Sequence, residues 1–506
     1  MEIKKKQFDE NIYKIINGDS MKVLDTLEEN SIDSVITDPP YGLTTITKRF
    51  GKENSAPAQF GKDGSFARLS KGFMGKEWDG SGIEYNVDFW KKVYRVLKSG
   101  GYLLAFGGSR TFHRIACAIE DAGFEIRDTI MWLYGSGFPK SMNIGLAIDK
   151  KNGVESEIVG TKDTPSLQDI GHKQKELGNG HIQSFGQIEN AERLQYEIKK
   201  ASNEWNGWGT CLKPAFEPII VARKPVEDSI INNVIKYGVG GINIDECRVP
   251  LESDYKAPKR SQESQNYVNS RKGQTQCDLG GKGENAGANE LGRFPSNVIL
   301  TYDDTDFVEV CGGMPDSVGG QGKSFKATDY EEKQTATNFT RGDFNPYNDS
   351  GSASRYFYCA KASKKDRDSG LDMLEERAVN DGRKTDIDNA FQRGLTPRKN
   401  IHPTVKPVEL MQYLIRLVSP KGATILDPFN GSGSTGKAVA FENREREREY
   451  KYIGIELDKE YCEISKGRID YALNKYEYDM IQDIKQEEER TGQMSLFDID
   501  YGEDYE

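Results

Sequence analysis

The chain predicts an α/β fold on a mostly parallel sheet, and three observations carry that prediction. Short apolar runs of strand length stop abruptly at Gly, Pro or Asp. Segments with helical spacing of apolar residues alternate with them towards both ends of the chain. One of the runs passes straight into a glycine-rich turn that opens a helix. Strands alternating with helices imply parallel pairing, with both faces of the sheet covered.

The elements follow in order. Tyr13–Asn17 and 31–37 are strand-like, the second ending at an acidic turn. Helical spacing appears over 87–97, the apolar run GYLLAF over 101–106 reads as a strand, and 110–122 reads as a helix. Strands over 128–133 and 218–221 close the first α/β part. The pattern resumes with an amphipathic helix over Val408–Val418, a short strand over Thr424–Asp427 and a helix over 434–442. A strand over 452–456 and a helix over Lys459–Leu473 complete it. Between these parts the composition shifts to Gly, Ser, Asn, Lys and Asp. The division expected is 1–223, a loop-rich insert over 224–400, 401–475, and an acidic tail over 476–506. A linker without order is the other reading of 224–400, but apolar islands at 243–245, 294–300 and 356–358 favour partial order.

Composition narrows the function class. No apolar run approaches the length of a membrane span, and none reads as a secretory leader. The seven cysteines are scattered singly with no CxxC pair, which argues against zinc or a redox dithiol and for reduced thiols in a cytoplasmic setting. No metal is expected. A net charge of −11 speaks weakly against nucleic acid, but much of the acidity lies in the tail, while 255–260 and 360–365 are basic.

The glycine turn, Gly431 to Gly436, fits G-x-G-x-x-G with Glu456 about one strand further on, a spacing that dinucleotide-binding folds share. Lys437 makes it resemble a phosphate loop, but Ala438 offers no hydroxyl for magnesium. Asp427 and Phe429 stand just before the glycines. A carboxylate there repels a pyrophosphate and suits a cofactor with a cationic amino-acid part. Glu456 at a strand end suits ribose hydroxyls.

The acidic turn is Thr37-Asp38-Pro39-Pro40-Tyr41-Gly42. Two prolines stiffen it and remove two donors. What remains is acceptors, the Asp38 carboxylate and the Pro39 carbonyl, beside the flat face of Tyr41. That set fits an exocyclic amino group on a planar ring. Two acceptors hold the NH₂ and draw its lone pair out of conjugation, after which methyl transfer needs mainly positioning.

The acidic turn preceding the glycine turn, with a long variable region between, resembles the β group of S-adenosylmethionine-dependent DNA amino-methyltransferases, phage- or prophage-borne bacterial methylases in particular. Two further strings match that family: Ile16-Asn17-Gly18-Asp19 and His402-Pro403-Thr404-Val405-Lys406-Pro407. The resemblance covers roughly 10–140 and 400–475 and implies a Rossmann-like methyltransferase fold in permuted motif order, with the insert as target-recognition region. It implies S-adenosylmethionine as cofactor, held by Asp19 at the adenine end, Lys406 at the methionine end, and Asp427, Phe429, Gly431, Gly433 and Glu456. It implies Asp38, Pro39, Pro40 and Tyr41 as the catalytic turn, acting on adenine N6 of a base flipped from duplex DNA. Cytosine N4 is the alternative, usually marked by Ser in place of Asp38; a non-catalytic DNA-binding relative is a more distant one. Trp78, Phe112 and Trp208 are candidate pocket aromatics, although core packing is the more ordinary use of each. In the tail, Gln493, Leu496 and Phe497 resemble the peptide by which bacterial proteins dock on the replication sliding clamp.

Overall fold

The computed structural model describes residues 12–41, 82–134, 141–165, 193–249, 292–301, 316–318, 350–352, 358–359, 364–378 and 397–474. Trp78 and the tail residues Gln493, Leu496 and Phe497 lie outside them.

Nine strands form one sheet. They are β1 (Tyr13–Asn17), β2 (Ile32–Thr37), β3 (Leu97–Phe106), β4 (Glu125–Tyr134), β5 (Phe216–Arg223), β6 (Val298–Thr301), β7 (Tyr358–Cys359), β8 (Thr424–Asp427) and β9 (Lys451–Glu456). Their order across the sheet is β1-β9-β8-β2-β3-β5-β4-β6-β7. Every pairing is parallel except the two made by β5, which runs antiparallel to both β3 and β4. The mostly parallel Rossmann-like sheet expected from the sequence is therefore present. The exception has a simple cause. The chain leaves β4 and returns at the same end of the sheet, so β5 enters without a crossover helix and must run the other way.

Helices cover both faces. On one, α1 (Ser20–Thr26), α2 (Val87–Val96) and α3 (Phe112–Asp121) pack a core that includes Leu24, Val35, Trp90, Leu103, Ala105 and Ile119. On the other lie α4 (Val408–Val418), α5 (Ser434–Arg446) and α6 (Lys459–Leu473), whose core includes Ile36, Leu104, Phe106, Leu414 and Ile469. Leu103 and Ala105 face one way while Leu104 and Phe106 face the other. A strand buried on both faces in this manner reads as a continuous apolar run, as GYLLAF does.

Described pieces of 224–400 join this body. The strands β6 and β7 extend the sheet beyond β4. Asp366, in the short helix Lys364–Asp368, accepts from the buried Lys437 of α5 at 2.5 Å. The expected insert thus does not stand apart as one block over its whole length. Among the described residues no helix is long and apolar enough to cross a membrane.

Candidate active site

The two sequence motifs meet because their strands are neighbours. In the sheet β8 pairs with β2, Leu426 opposite Val35, so the turns that follow both strands leave the same edge. A buried carboxylate joins them. Asp427 accepts from Thr37 Oγ1 at 2.6 Å, from Thr435 Oγ1 at 2.7 Å and from the Phe429 backbone N–H at 3.1 Å. Burial raises its carboxyl to about 6, against the lowering effect of those bonds. Sequence reasoning put Asp427 on the cofactor; in the structure both its oxygens are engaged within the protein, tying the acidic turn to the glycine turn.

The acidic turn forms a second, more highly charged centre. Lys406 Nζ lies 2.7 Å from Asp38 Oδ2, 3.1 Å from the Tyr41 hydroxyl and 3.3 Å from Glu217 Oε2. Tyr41 in turn donates to Glu217 Oε2 at 2.8 Å, and Tyr134 donates to Glu217 Oε1 at 3.5 Å. Asp38 Oδ1 is buried and makes no hydrogen bond among the described residues. Burial would lower the Lys406 ammonium, but Asp38 and Glu217 outweigh it and hold it above its ordinary value. Burial raises Asp38, with Lys406 opposing and Glu217 adding to the shift. Tyr41 is pushed well up, first by burial and then by both carboxylates. Its backbone is fixed as well: the Tyr41 carbonyl accepts from Thr111 Oγ1 at 2.7 Å and from the Tyr85 hydroxyl at 3.1 Å.

Around the glycine turn the pattern is different. Gly431 and Gly433 have φ of +52° and +76°, backbone that side chains rarely adopt. A Cβ on Gly433 would also come within 2.2 Å of Ser465 Oγ, and one on Gly431 within 2.9 Å of His402 Nε2. Glu456 accepts from the Gly431 N–H at 2.7 Å and from the Asp458 N–H at 2.8 Å. Burial lifts its carboxyl to about 7. The Phe429 ring lies 5.0 Å from that of Phe89. Arg468 holds the turn from beneath, donating to the Ser432 carbonyl at 2.6 Å. Lys437, the residue that mimics a phosphate loop, is buried against Asp366 and Ser369 rather than presented to a ligand.

The remaining expected residues fall in place as follows. Asp19 caps α1, accepting from Met21 N–H at 3.0 Å, and its neighbour Ser20 donates to the Pro428 carbonyl at 2.6 Å, so this turn abuts the glycine turn. Lys406, expected at the methionine end of the cofactor, has its ammonium in the Asp38 centre. Pro39 and Pro40 are buried within the acidic turn. Phe112 packs partly buried on the α1–α3 side, while Trp208 is exposed. Glu217 and Tyr134 escaped sequence reasoning. The available signal was Glu217 at the entry to an otherwise apolar strand, FEPIIVAR.

The residues fit a nucleoside cofactor with a sulfonium-bearing amino acid. Glu456 keeps lone pairs for hydroxyl donors, Phe429 offers a ring, and two glycines keep the turn free of side chains. Among the described residues no group of His, Cys, Asp and Glu is arranged to hold a metal ion.

Comparison with known proteins identifies the family. A family model described as DNA methylase, for N6 and N4 methyltransferases, matches residues 32–467. Type II methyltransferase M.HindIII of Haemophilus influenzae is 26% identical over 248 residues, 45% of this chain and 64% of that protein. The chain therefore spans somewhat less than two thirds of that relative's length. DNA adenine methyltransferase YhdJ of Escherichia coli is 35% identical over 94 residues, 19% of this chain and 29% of that protein. Among solved structures, a putative DNA modification methylase of Thermus thermophilus complexed with S-adenosyl-L-methionine covers 91% of this chain and 95% of its own at 13% identity, with a TM-score of 0.32. At that score it transfers no residue roles. The family match runs through both turns, and the chain belongs to the DNA methylase family.

Proposed function

We propose that this DNA methylase transfers a methyl group from S-adenosylmethionine to the N6 amino nitrogen of adenine in duplex DNA. The observation that carries the reading is Asp38 Oδ1, a buried acceptor with no donor among the described residues, at the end of a rigid, donor-poor turn. An exocyclic amino group supplies the missing donor. When bound, the cofactor supplies an electrophilic methyl on a sulfonium. Glu456 holds ribose hydroxyls, Phe429 packs on the cofactor's ring system, and Gly431 and Gly433 let the backbone approach it; Asp19 lies at the adenine end. Asp38 and the Pro39 carbonyl take the two amino hydrogens, Tyr41 stacks on the base, and Lys406 keeps Asp38 ionised in a buried setting. Asp427 contributes by fixing one turn against the other.

Adenine is favoured over cytosine N4 by Asp at position 38 and by the name of the YhdJ relative. The parts of 224–400 outside the sheet form the target-recognition region, and Gln493, Leu496 and Phe497 dock on a bacterial sliding clamp. The primary test is sequencing, with modified-base detection, of DNA from cells that express the protein or its Asp38→Ala variant. N6-methyladenine in a fixed sequence with the wild type alone is expected. N4-methylcytosine would replace adenine by the alternative, and no modified base at all would defeat the reading.

A further inference from the structure

Between Tyr134 at the end of β4 and Phe216 at the start of β5 the chain makes an excursion whose two ends meet at the acidic centre. Tyr134 N–H donates to the Ala215 carbonyl at 2.9 Å, and the hydroxyl of Tyr134 and the carboxylate of Glu217 belong to that centre. The described middle of the excursion is a tied knot. Asn143 bridges Gly209, Ile144 N–H donates to the Trp208 carbonyl, and Ser141 Oγ accepts from Thr210 N–H at 3.0 Å. The buried Asp149 of the helix Ile144–Asn152 accepts from Ser202 N–H at 2.8 Å and from Asn203 Nδ2 at 2.6 Å. Gly145 is pressed so close that a Cβ there would meet that of Ala201 at 2.7 Å.

This well-braced platform displays two indoles to solvent. Trp205 and Trp208 stand edge to face with centroids 5.2 Å apart, and they are 41% and 58% exposed. Exposed apolar rings on a braced scaffold mark an interaction surface rather than a core. Among the described residues of the knot the exposed charges lean positive: Lys150, Lys151, Lys199, Lys200 and Lys213 are exposed, against Glu155, Glu157 and Glu204. Parallel strands β2 and β3 end at the acidic centre, and antiparallel β5 begins there, so the knot leaves the sheet at the edge where the target base must arrive.

Resting on the methylase reading, we propose that the knot is the element that keeps the duplex open, with Trp208 stacking on a base exposed when the target nucleotide leaves the helix. Extruding a base breaks its stacking and pairing. An aromatic face offered at that point replaces part of what is lost, without regard to sequence. Trp205 braces Trp208 edge-on, and the lysines accompany the phosphate backbone.

The test uses the full chain and the sequence that modified-base detection identifies, built into two duplexes. One is fully paired; in the other the target lies opposite an abasic site and is already unpaired. Trp208→Ala is expected to lower kcat/KM on the paired duplex by roughly tenfold or more and to change it little on the abasic one. Trp208→Phe should retain the paired-duplex rate, and Trp208→Leu should not. Equal losses on both duplexes, or no loss on either, would overturn the proposal. A second measurement separates it from the methylase reading: indole fluorescence of the wild type titrated with a paired 30-mer duplex. Quenching that disappears in Trp208→Phe supports the contact even if no methyl transfer is found. Absence of quenching overturns the contact even if transfer proceeds.

Discussion

The acidic and glycine turns leave neighbouring strands, yet their polar groups are treated in opposite ways. At the glycine turn, Glu456 and Asp427 are engaged by backbone N–H groups and hydroxyls from within the protein. At the acidic turn, three charged groups and two phenols crowd together, and Asp38 Oδ1 has no hydrogen bond among the described residues. A satisfied network specifies one geometry, whereas an unpaired buried acceptor costs free energy until a ligand supplies the donor. On the proposed reading, the difference separates a turn built to hold from a turn built to act.

That contrast predicts separable defects. The largest belongs to Asp38→Ala, which should reduce turnover at least a thousandfold, about 4 kcal/mol of transition-state stabilisation, while calorimetry finds cofactor affinity nearly unchanged. If affinity fell and turnover did not, the division of labour would be reversed. Glu456→Ala should show the converse pattern, weakening cofactor binding by about 1.5–3 kcal/mol with a much smaller change in single-turnover rate at saturating cofactor.

Glu217→Gln sharpens the contrast within the acidic turn. It keeps an acceptor for the Tyr41 hydroxyl and removes one negative charge. Burial would still hold Asp38 up, but the contribution of Glu217 would be gone, so the acidic limb of the pH–rate profile should move to lower pH, with turnover down on the order of tenfold. An unmoved limb would show that Glu217 does not act on Asp38 electrostatically.

The smallest effect concerns stability and pH. The Glu456 carboxyl stands at about 7 in the folded chain, above its ordinary 4.5. Between those values the folded state binds more protons than the unfolded one. Its contribution is therefore fully present below 4.5 and is lost as pH rises through 7. Denaturant midpoints should show Glu456→Gln flattening this part of the stability curve. Cofactor affinity should run the other way, rising as Glu456 ionises and gains acceptor strength.

Much of this was legible in the sequence. Val408–Val418 and Lys459–Leu473 have the expected bounds because their apolar spacing and flanking residues leave few alternatives. The two motifs were visible because proline and glycine restrict or free the backbone in ways that local sequence records. The direction of β5 was not legible: FEPIIVAR is equally apolar whichever way it runs, and its polarity follows from where the preceding excursion returns. Nor does local sequence say whom a charged side chain meets. Lys406 stands in a segment next to the glycine turn, but its ammonium finds Asp38, 368 positions away in the chain. Asp427 lies beside the glycines yet turns inward to Thr37.

The inward turn of Asp427 works as a gauge. Neighbouring strands lie about 4.8 Å apart, and a single carboxylate between Thr37 and Thr435 holds the two turns at that spacing. On the proposed reading, the gap between methyl donor and amino acceptor would thereby be set by sheet geometry, not by the loops. Loops proposed to choose a DNA sequence would then be free to diverge without altering the distance over which the methyl group passes.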